Sequence, residues 1–306
     1  MLHISDALVD ELVTAPQAQQ VLQAAFAAFG RGRAAVQKRT RIDAGGVKLS
    51  TLGAVIPEQS ISGAKVYTTI KGQFSFVILL FSAVDGHPLA TLDATAITRI
   101  RTAACSVLMT RKLARANAKV LGLFGTGMQG LEHAVQLAAA FRLERILLDQ
   151  SRAGAAALAQ VAAATGVETC AVLPSELAQE SDIVVTATRS VTPLFDGKLL
   201  RPGAFVAAIG SSLPHTRELD DNVLVRSKAI VVEWREQVLE EAGDLVLAAP
   251  IAGVEAKLVE LADVVNGRFP GRGSEDDIFV YKAVGIGLED IAIAGLAYKL
   301  IQGDPS

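Results

Sequence analysis

Three glycines mark the first place where this chain could do chemistry. Gly125-Thr-Gly127-Met-Gln-Gly130 spells G-x-G-x-x-G. Alone the motif is weak, because glycine turns are common. Here it follows the apolar run Lys119-Val-Leu-Gly-Leu-Phe and opens an Ala-rich stretch, Leu131 to Phe141. Strand, glycine turn and helix in that order is the context in which the spacing binds a dinucleotide. Gly125 would allow the tight turn. Gly127 would let the backbone approach a pyrophosphate seated on the helix amides, and Gly130 would let helix and strand pack closely. Met128 and Gln129 lie in the same turn and join the candidate contacts. An acid about 20 residues further on is expected to receive the adenosine ribose hydroxyls and to repel a 2′-phosphate. Asp149 stands there, followed by Gln150. This favours NAD over NADP, with Arg152 close enough in sequence to keep NADP open. The competing reading is a nucleotide-free domain in which Asp149 only caps a helix, and the context of the glycines outweighs it.

Other reactive residue types form no pattern of comparable weight. His3, His87, His133 and His215 show no metal-ligand spacing, so no zinc or iron site is expected. Cys105 and Cys170 are too few for a disulfide framework and read as small core residues of a reducing compartment. There is no Gly-x-Ser-x-Gly elbow, which argues against a serine hydrolase. His215 follows Pro214 and could donate a proton near neutral pH, but a surface loop is the favoured reading. Glu236, Glu240 and Glu241 read as a solvated helix face.

The elements needed to position the glycine motif follow from periodicity. The first segment, to about Gly30, is helical in pattern, with Leu22, Ala25, Phe26 and Phe29 near the helical repeat. From Ala34 to about Leu92 the pattern turns to strands: Val47 to Leu52, Ala64 to Thr69, Phe74 to Phe81. Gly53, Gly63 and Gly72 read as their separators, with further turns at Gly45-Gly46 and Asp85-Gly86. Thr98 to Ala114 reads as a basic helix. Strands then alternate with helices from Lys119 to Val232, which implies a parallel, doubly wound sheet. Thr186 and Thr188 follow its fourth strand, where a loop borders a nicotinamide ribose, although turn capping explains them equally well. A Gly/Pro-rich stretch after about Asn266 reads as a loop, and Ile278 to Ile301 as a final helix returning to the first domain.

Composition bounds the answer. The chain has 306 residues, 51% hydrophobic and 20% charged, with a net charge of -3. It can bury a large core and is neither disordered nor fibrous. No basic surplus exists to neutralise a phosphate backbone, so nucleic acid is not an expected partner. Mean hydropathy is high at +0.38, yet the longest apolar run, Phe74 to Val84, is about half the ~20 residues that cross a bilayer. The opening residues carry Asp6, Asp10 and Glu11 and lack a signal-peptide pattern. A cytoplasmic protein without membrane attachment is the expectation.

Four blocks, in order, resemble the ornithine cyclodeaminase and mu-crystallin family. They are Arg101-Thr-Ala-Ala104, the glycine motif, Gly210-Ser-Ser-Leu-Pro214 with Arg217-Glu-Leu-Asp220, and Phe279-Val-Tyr-Lys-Ala-Val-Gly285 with Glu289-Asp290. The last block looks like the family's closing helix. The resemblance covers nearly the whole chain. It implies a Rossmann-type doubly wound nucleotide domain, residues 113–279. It also implies an α+β substrate-binding and dimerisation domain, residues 1–112 with 280–306. The partner it implies is a second copy of the chain, in a homodimer. The implied chemistry is NAD(P)-dependent, at the Cα–N bond of a small amino or imino acid. Lys65 matches the lysine that contacts the substrate carboxylate and reacting nitrogen, and Arg101 the arginine that forks onto the carboxylate. A further arginine matches Arg41 or Arg39, with the spacing favouring Arg41. Thr102, Thr186, Thr188, Gly210 and Ser211 fall at cofactor positions. The physics suits these roles: a guanidinium presents paired donors to a carboxylate, and a lysine among other cations has a lowered pKa and can trade protons.

Two departures refine the expectation. Cyclodeaminases carry an aspartate where this chain has Ser212, and a serine hydroxyl without an activating partner is a poor base. That favours hydride transfer between imino and amino acid over conversion of ornithine to proline and ammonia with catalytic NAD. A non-catalytic nucleotide-binding protein of mu-crystallin type is the third reading, weighed down by the retained Lys65 and Arg101. The stretch from Lys65 to Arg101 is also shorter than in typical members, and the loop expected at Thr68 to Gly72 borders the substrate pocket there.

Overall fold

The computed structural model describes residues 1–303 and divides into two compact units. One comprises Met1–Cys105 with the segment from Gly285 onward, and the other Ser106–Val284.

The first unit is built on a six-stranded sheet: β1 (Leu2–Ile4), β2 (Ala35–Ala44), β3 (Val47–Ile56), β4 (Ile61–Ile70), β5 (Gln73–Ser82) and β6 (Pro88–Asp93), in the order β1-β6-β5-β4-β3-β2. Only β1 and β6 run parallel; the rest is a chain of hairpins. Gly45 and Gly46 make the first tight turn, both at positive φ, as a two-residue hairpin requires. Alternation along β3 puts Leu52, Ala54 and Ile56 on one buried face. That face packs against the closing helix, Gly287–Ile301, which packs in turn against the helix Ala15–Gly30, whose Leu22, Ala25 and Phe26 are fully buried. The basic helix runs Thr95–Leu113.

Three expectations need correction in this unit. Gly53 and Gly63 do not separate strands but lie inside β3 and β4. Neighbouring strands leave no room for a side chain: a Cβ on Gly53 would stand 2.6 Å from the Gly63 carbonyl oxygen. A Cβ on Gly287 would stand 2.4 Å from the Gly53 carbonyl oxygen, and one on Gly63 would meet the Leu79 carbonyl at 2.4 Å and Ile291 at 3.0 Å. The expected loop at Thr68 to Gly72 is mostly strand. Thr68, Thr69 and Ile70 pair with Ser75, Phe74 and Gln73, leaving a two-residue turn at Lys71-Gly72. Finally, the last helix begins at Gly287 and not at Ile278.

Ile278–Lys282 is instead a strand, β14, of the second unit. That unit carries an all-parallel sheet of β7 (Val120–Phe124), β8 (Arg145–Asp149), β9 (Glu168–Val172), β10 (Ile183–Thr186), β11 (Phe205–Ala208), β12 (Ser227–Val232), β13 (Leu258–Glu260) and β14, in the order β13-β12-β14-β11-β10-β7-β8-β9. Ile-Phe-Val-Tyr-Lys lies between β11 and β12 and is buried throughout. Strands covered on both faces read as continuous apolar runs, which a helix segment imitates in sequence. Glu241 also departs from expectation: it is buried, while Glu236 and Glu240 are exposed. No helix among the described residues is long and apolar enough to cross a membrane.

Gly287→Ala should lower stability by about 1–3 kcal/mol, because the added methyl is opposed by backbone rather than by a yielding side chain. Urea denaturation measures it; an unchanged midpoint would contradict the close helix–sheet approach.

Candidate active site

In the first unit, Lys65 lies on β4 opposite Leu52 and Ile78, both fully buried, so strand alternation carries its ammonium inward. The lysine is only 2% exposed. An unpaired buried ammonium is costly, and the closing helix supplies the partner. Lys65 Nζ donates to Asp290 Oδ1 at 2.7 Å, lies equally close to Oδ2, and donates to Thr98 Oγ1 at 3.3 Å. Arg101 Nη1 donates to Glu289 Oε2 at 2.5 Å, and its Nε lies 3.4 Å from Asp290 Oδ1. Both carboxylates sit in the first turn of the closing helix, where the helix dipole favours negative charge. Gly285, at φ 77°, makes room for the arginine: a Cβ there would stand 2.6 Å from Arg101 Nη2.

Arg39 donates from Nη2 to the Gly285 carbonyl at 2.7 Å, and its field reaches both Lys65 and Asp290. Arg41 lies one cross-strand row away, opposite Ser50, whose own partner on β4 is Tyr67. Both arginines therefore share the face of Lys65, with Arg39 the nearer to the lysine's charge. Lys65 and Arg101 are each met by a carboxylate, with Arg39 beside them. Burial lowers the Lys65 pKa to about 8, with Arg101 and Arg39 adding to the fall and Asp290 opposing it. Burial pushes Asp290 upward, but Lys65 and Arg101 more than reverse this and hold its carboxyl below the usual range. Thr102 is buried on the same helix as Arg101, and its hydroxyl donates to the Thr98 carbonyl one turn back at 2.7 Å.

In the second unit the three motif glycines have distinct geometric reasons. Gly125 follows β7 at φ 97°, and a Cβ would meet the Ala187 carbonyl oxygen at 2.5 Å. Gly130 could not carry a side chain at all, since its Cβ would lie 1.9 Å from the Gly125 oxygen. Gly127 caps the helix Met128–Ala140, and nothing stands within 4 Å of where its Cβ would be. The helix N-terminus is thus open above Gly127, as close approach by a pyrophosphate requires. Met128 beside it is exposed and Gln129 half-buried. Asp149 ends β8 and is 2% exposed; its Oδ1 accepts from Ser151 N–H and Oγ–H, and Arg152 Nε lies 3.4 Å from Oδ2. Gln150 is exposed, its N–H donating to the Val172 carbonyl. These residues fit a dinucleotide: an open helix end for the pyrophosphate and a carboxylate at the second strand's end for the ribose.

A buried acid that the sequence reading assigned no role organises the remaining cofactor positions. Glu218 is fully buried and accepts five hydrogen bonds: from Thr186 Oγ1, Thr188 N–H, Thr188 Oγ1, Gly210 N–H and Ser211 N–H, at 2.6 to 3.2 Å. It ties the loop after β10 to the loop after β11. Asp244 in turn accepts from the Glu218 and Leu219 amides and pairs with buried Lys282 of β14 at 2.9 Å. Burial raises the Glu218 pKa, Asp244 adds to the rise, and Lys282 opposes it. The hydroxyls of Thr186 and Thr188 are thus spent as donors on Glu218, which leaves only lone pairs to face a ligand. Ser212 is half-buried at the end of the same loop, and His215 is exposed. Glu218 sits inside the block Arg217-Glu-Leu-Asp220, but no periodicity tells a buried acid from a solvated one. No cluster of three or more His, Cys, Asp or Glu among the described residues could hold a metal ion.

Comparison with known proteins adds three findings. The ornithine cyclodeaminase/mu-crystallin family profile matches residues 3–304. A Delta(1)-pyrroline-2-carboxylate reductase of Bacillus cereus is 34% identical over 263 residues, covering 84% of this chain and 78% of the relative. Two solved structures superpose over nearly all of both chains. The probable ornithine cyclodeaminase from Bordetella pertussis Tohama I is 61% identical with TM-score 0.97, covering 100% of this chain and 99% of the other. The Thermococcus litoralis Delta(1)-pyrroline-2-carboxylate reductase, in complex with NADH and L-proline, is 28% identical with TM-score 0.92 and 99% coverage of each chain.

Glu218→Ala would leave five donors without their shared acceptor and should cost about 2–4 kcal/mol. Chemical denaturation monitored by far-UV circular dichroism measures it, and a cost below 1 kcal/mol would show that the loops do not depend on this carboxylate.

Proposed function

This chain belongs to the ornithine cyclodeaminase/mu-crystallin family, and on that premise we propose that it is an NAD(P)-dependent imino-acid reductase or amino-acid dehydrogenase acting at the Cα–N bond. The cluster of cations around Lys65 carries the reading. Lys65, Arg101 and Arg39 gather on one face, a setting that suits a substrate carboxylate. Both acids are engaged by Lys65 and Arg101, so a side-chain ammonium such as that of ornithine would compete with those cations for them. Residue 212, where a ring-closing base would be needed, is serine. The high identity to a protein described as a probable ornithine cyclodeaminase favours the second reading, cyclodeamination; the committed acids and Ser212 weigh against it.

In the proposed mechanism, Arg101, with Arg39 or Arg41, holds the substrate carboxylate and fixes the orientation of Cα. NADH, when bound, would supply the hydride, and Asp149 favours it over NADPH. Lys65, or a water it orders, delivers the proton to the imine nitrogen, so that one hydride and one proton convert C=N to CH–NH. Gly127, the amides of the following helix and the Glu218-tied loops hold the dinucleotide. The reading includes a homodimer. Val47, Leu49, Val55, Ile70, Val77 and Leu79 expose apolar surface on the face of the first sheet opposite Lys65, and a patch of that kind on a polar protein marks an association surface. Two free cysteines accord with a cytoplasmic location.

The test is a coupled assay. NADH should be oxidised with pyruvate plus methylamine or with a cyclic imino acid, and ornithine plus NAD should yield no proline. Proline and ammonia without net NADH change would replace the reductase by the cyclodeaminase. Lys65→Ala should lower turnover about 10²–10⁴-fold, the usual range for a lost proton donor, while NADH affinity from fluorescence titration changes little. The pH profile has a definite sign. Imine reduction needs Lys65 protonated and should fall above about pH 8, whereas amine oxidation needs it neutral and should rise there. Profiles lacking this opposition would remove Lys65 from proton transfer.

A further inference from the structure

Beside Lys65, on the same face of the first sheet, three aromatic rings form a continuous wall that the charge chemistry does not use. Lys65 Nζ lies 5.3 Å from the Phe76 ring centre. Phe76 stacks on Phe74 at 5.6 Å, and Tyr67 closes the group at 5.2 Å from Phe76 and 6.2 Å from Phe74. Strand register explains the arrangement. Arg41, Ser50, Tyr67 and Phe76 form one cross-strand row, next to the row that holds Leu52, Lys65 and Ile78. The hairpin that replaces the expected loop therefore carries the wall away from the lysine. Core aromatics would be buried, but Tyr67 and Phe76 are only half-buried and Phe74 is 50% exposed. Ser50, in the same row, is 1% exposed and its hydroxyl has no hydrogen-bond partner.

We propose that Tyr67, Phe74 and Phe76 form a specificity subsite for the substituent on the substrate Cα, and that this substituent is a large apolar or aryl ring rather than a methyl group. The proposal rests on the reductase reading of the same site. A carboxylate held by Arg101 with its imine nitrogen at Lys65 leaves the third Cα substituent to extend along the face. The rings begin at 5.3 Å from Lys65 Nζ and line the face in that direction, with Arg41 and Ser50 in the same rows. Aromatic faces attract ring edges and stacked rings beyond what area burial alone provides. Asp43 stands in the Phe74 row, but it is exposed and directly opposite Lys48. Arg41 stands in the Tyr67–Phe76 row, so a basic substituent would also meet a like charge.

The test compares kcat/KM with NADH for four imino acids: those formed from pyruvate and from phenylpyruvate with methylamine, and five- and six-membered cyclic imino acids. The phenylpyruvate imine should exceed the pyruvate imine by about 10- to 100-fold, the range a filled apolar pocket provides. In Phe76→Ala and Tyr67→Ala the ratio of aryl to methyl substrate should fall tenfold or more, chiefly through KM. Phe76→Leu, which keeps apolar volume but loses the planar face, should give an intermediate ratio. NADH fluorescence titration verifies that each variant is folded. A wild-type preference for the methyl substrate, or an equal loss for all four imines in the variants, would overturn the subsite and leave the reductase standing. Reduction of none of the four by a protein that binds NADH would overturn both.

Discussion

A buried balance of charge governs the first unit. Lys65 and Arg101 are almost completely withdrawn from water, and each is costly there unless a carboxylate meets it. Glu289 and Asp290 meet them from consecutive positions on one helix turn. To bring that turn close enough, the closing helix must press on the sheet, which demands glycine at 287 against the Gly53 backbone and leaves little room at 63 beside Ile291. Gly285 must likewise lack a side chain so that the Arg101 guanidinium has room. The glycines in the strands, the helix entry and the ion pairs are therefore one constraint seen from several sides. Its chemical consequence is a lysine with a pKa of about 8, able to gain or lose a proton near neutrality.

The second unit solves a different problem with the same means. A dinucleotide needs open backbone amides at strand ends, and open loops are floppy unless something holds them. Glu218 draws five donors from two loops onto one carboxylate, while Asp244 and Lys282 hold Glu218 in turn. The glycine loop is braced on the same side, since Gly125 packs directly against Ala187 and Thr188. A buried network of this kind is favourable only when every member is satisfied. It also engages the hydroxyls of Thr186 and Thr188, which the sequence reading placed beside a nicotinamide ribose or in a turn cap.

The glycine motif, its strand and helix, and the acid at the end of the second strand were legible because each depends on local spacing. The alternating strands and helices of the second unit were legible for the same reason. The strand Ile278–Lys282 was not. A continuous apolar run has no period to distinguish helix from strand, and its place between β11 and β12 depends on contacts far away in sequence. Gly53 and Gly63 were misread as breaks because sequence shows that a side chain is absent, not what occupies its space.

What the sequence determined by itself was the dinucleotide spacing of three glycines, a property of short intervals, and four blocks whose resemblance to one family implies cations for a carboxylate and a serine where cyclodeaminases carry an aspartate. Only the tertiary structure decided which acids neutralise which cations, that Glu218 is a buried anchor and Glu241 buried rather than solvated, and that an aromatic wall stands beside Lys65. Each of these depends on residues distant in sequence becoming neighbours. Their charge, pKa and exposure belong to the surroundings, which no local pattern encodes.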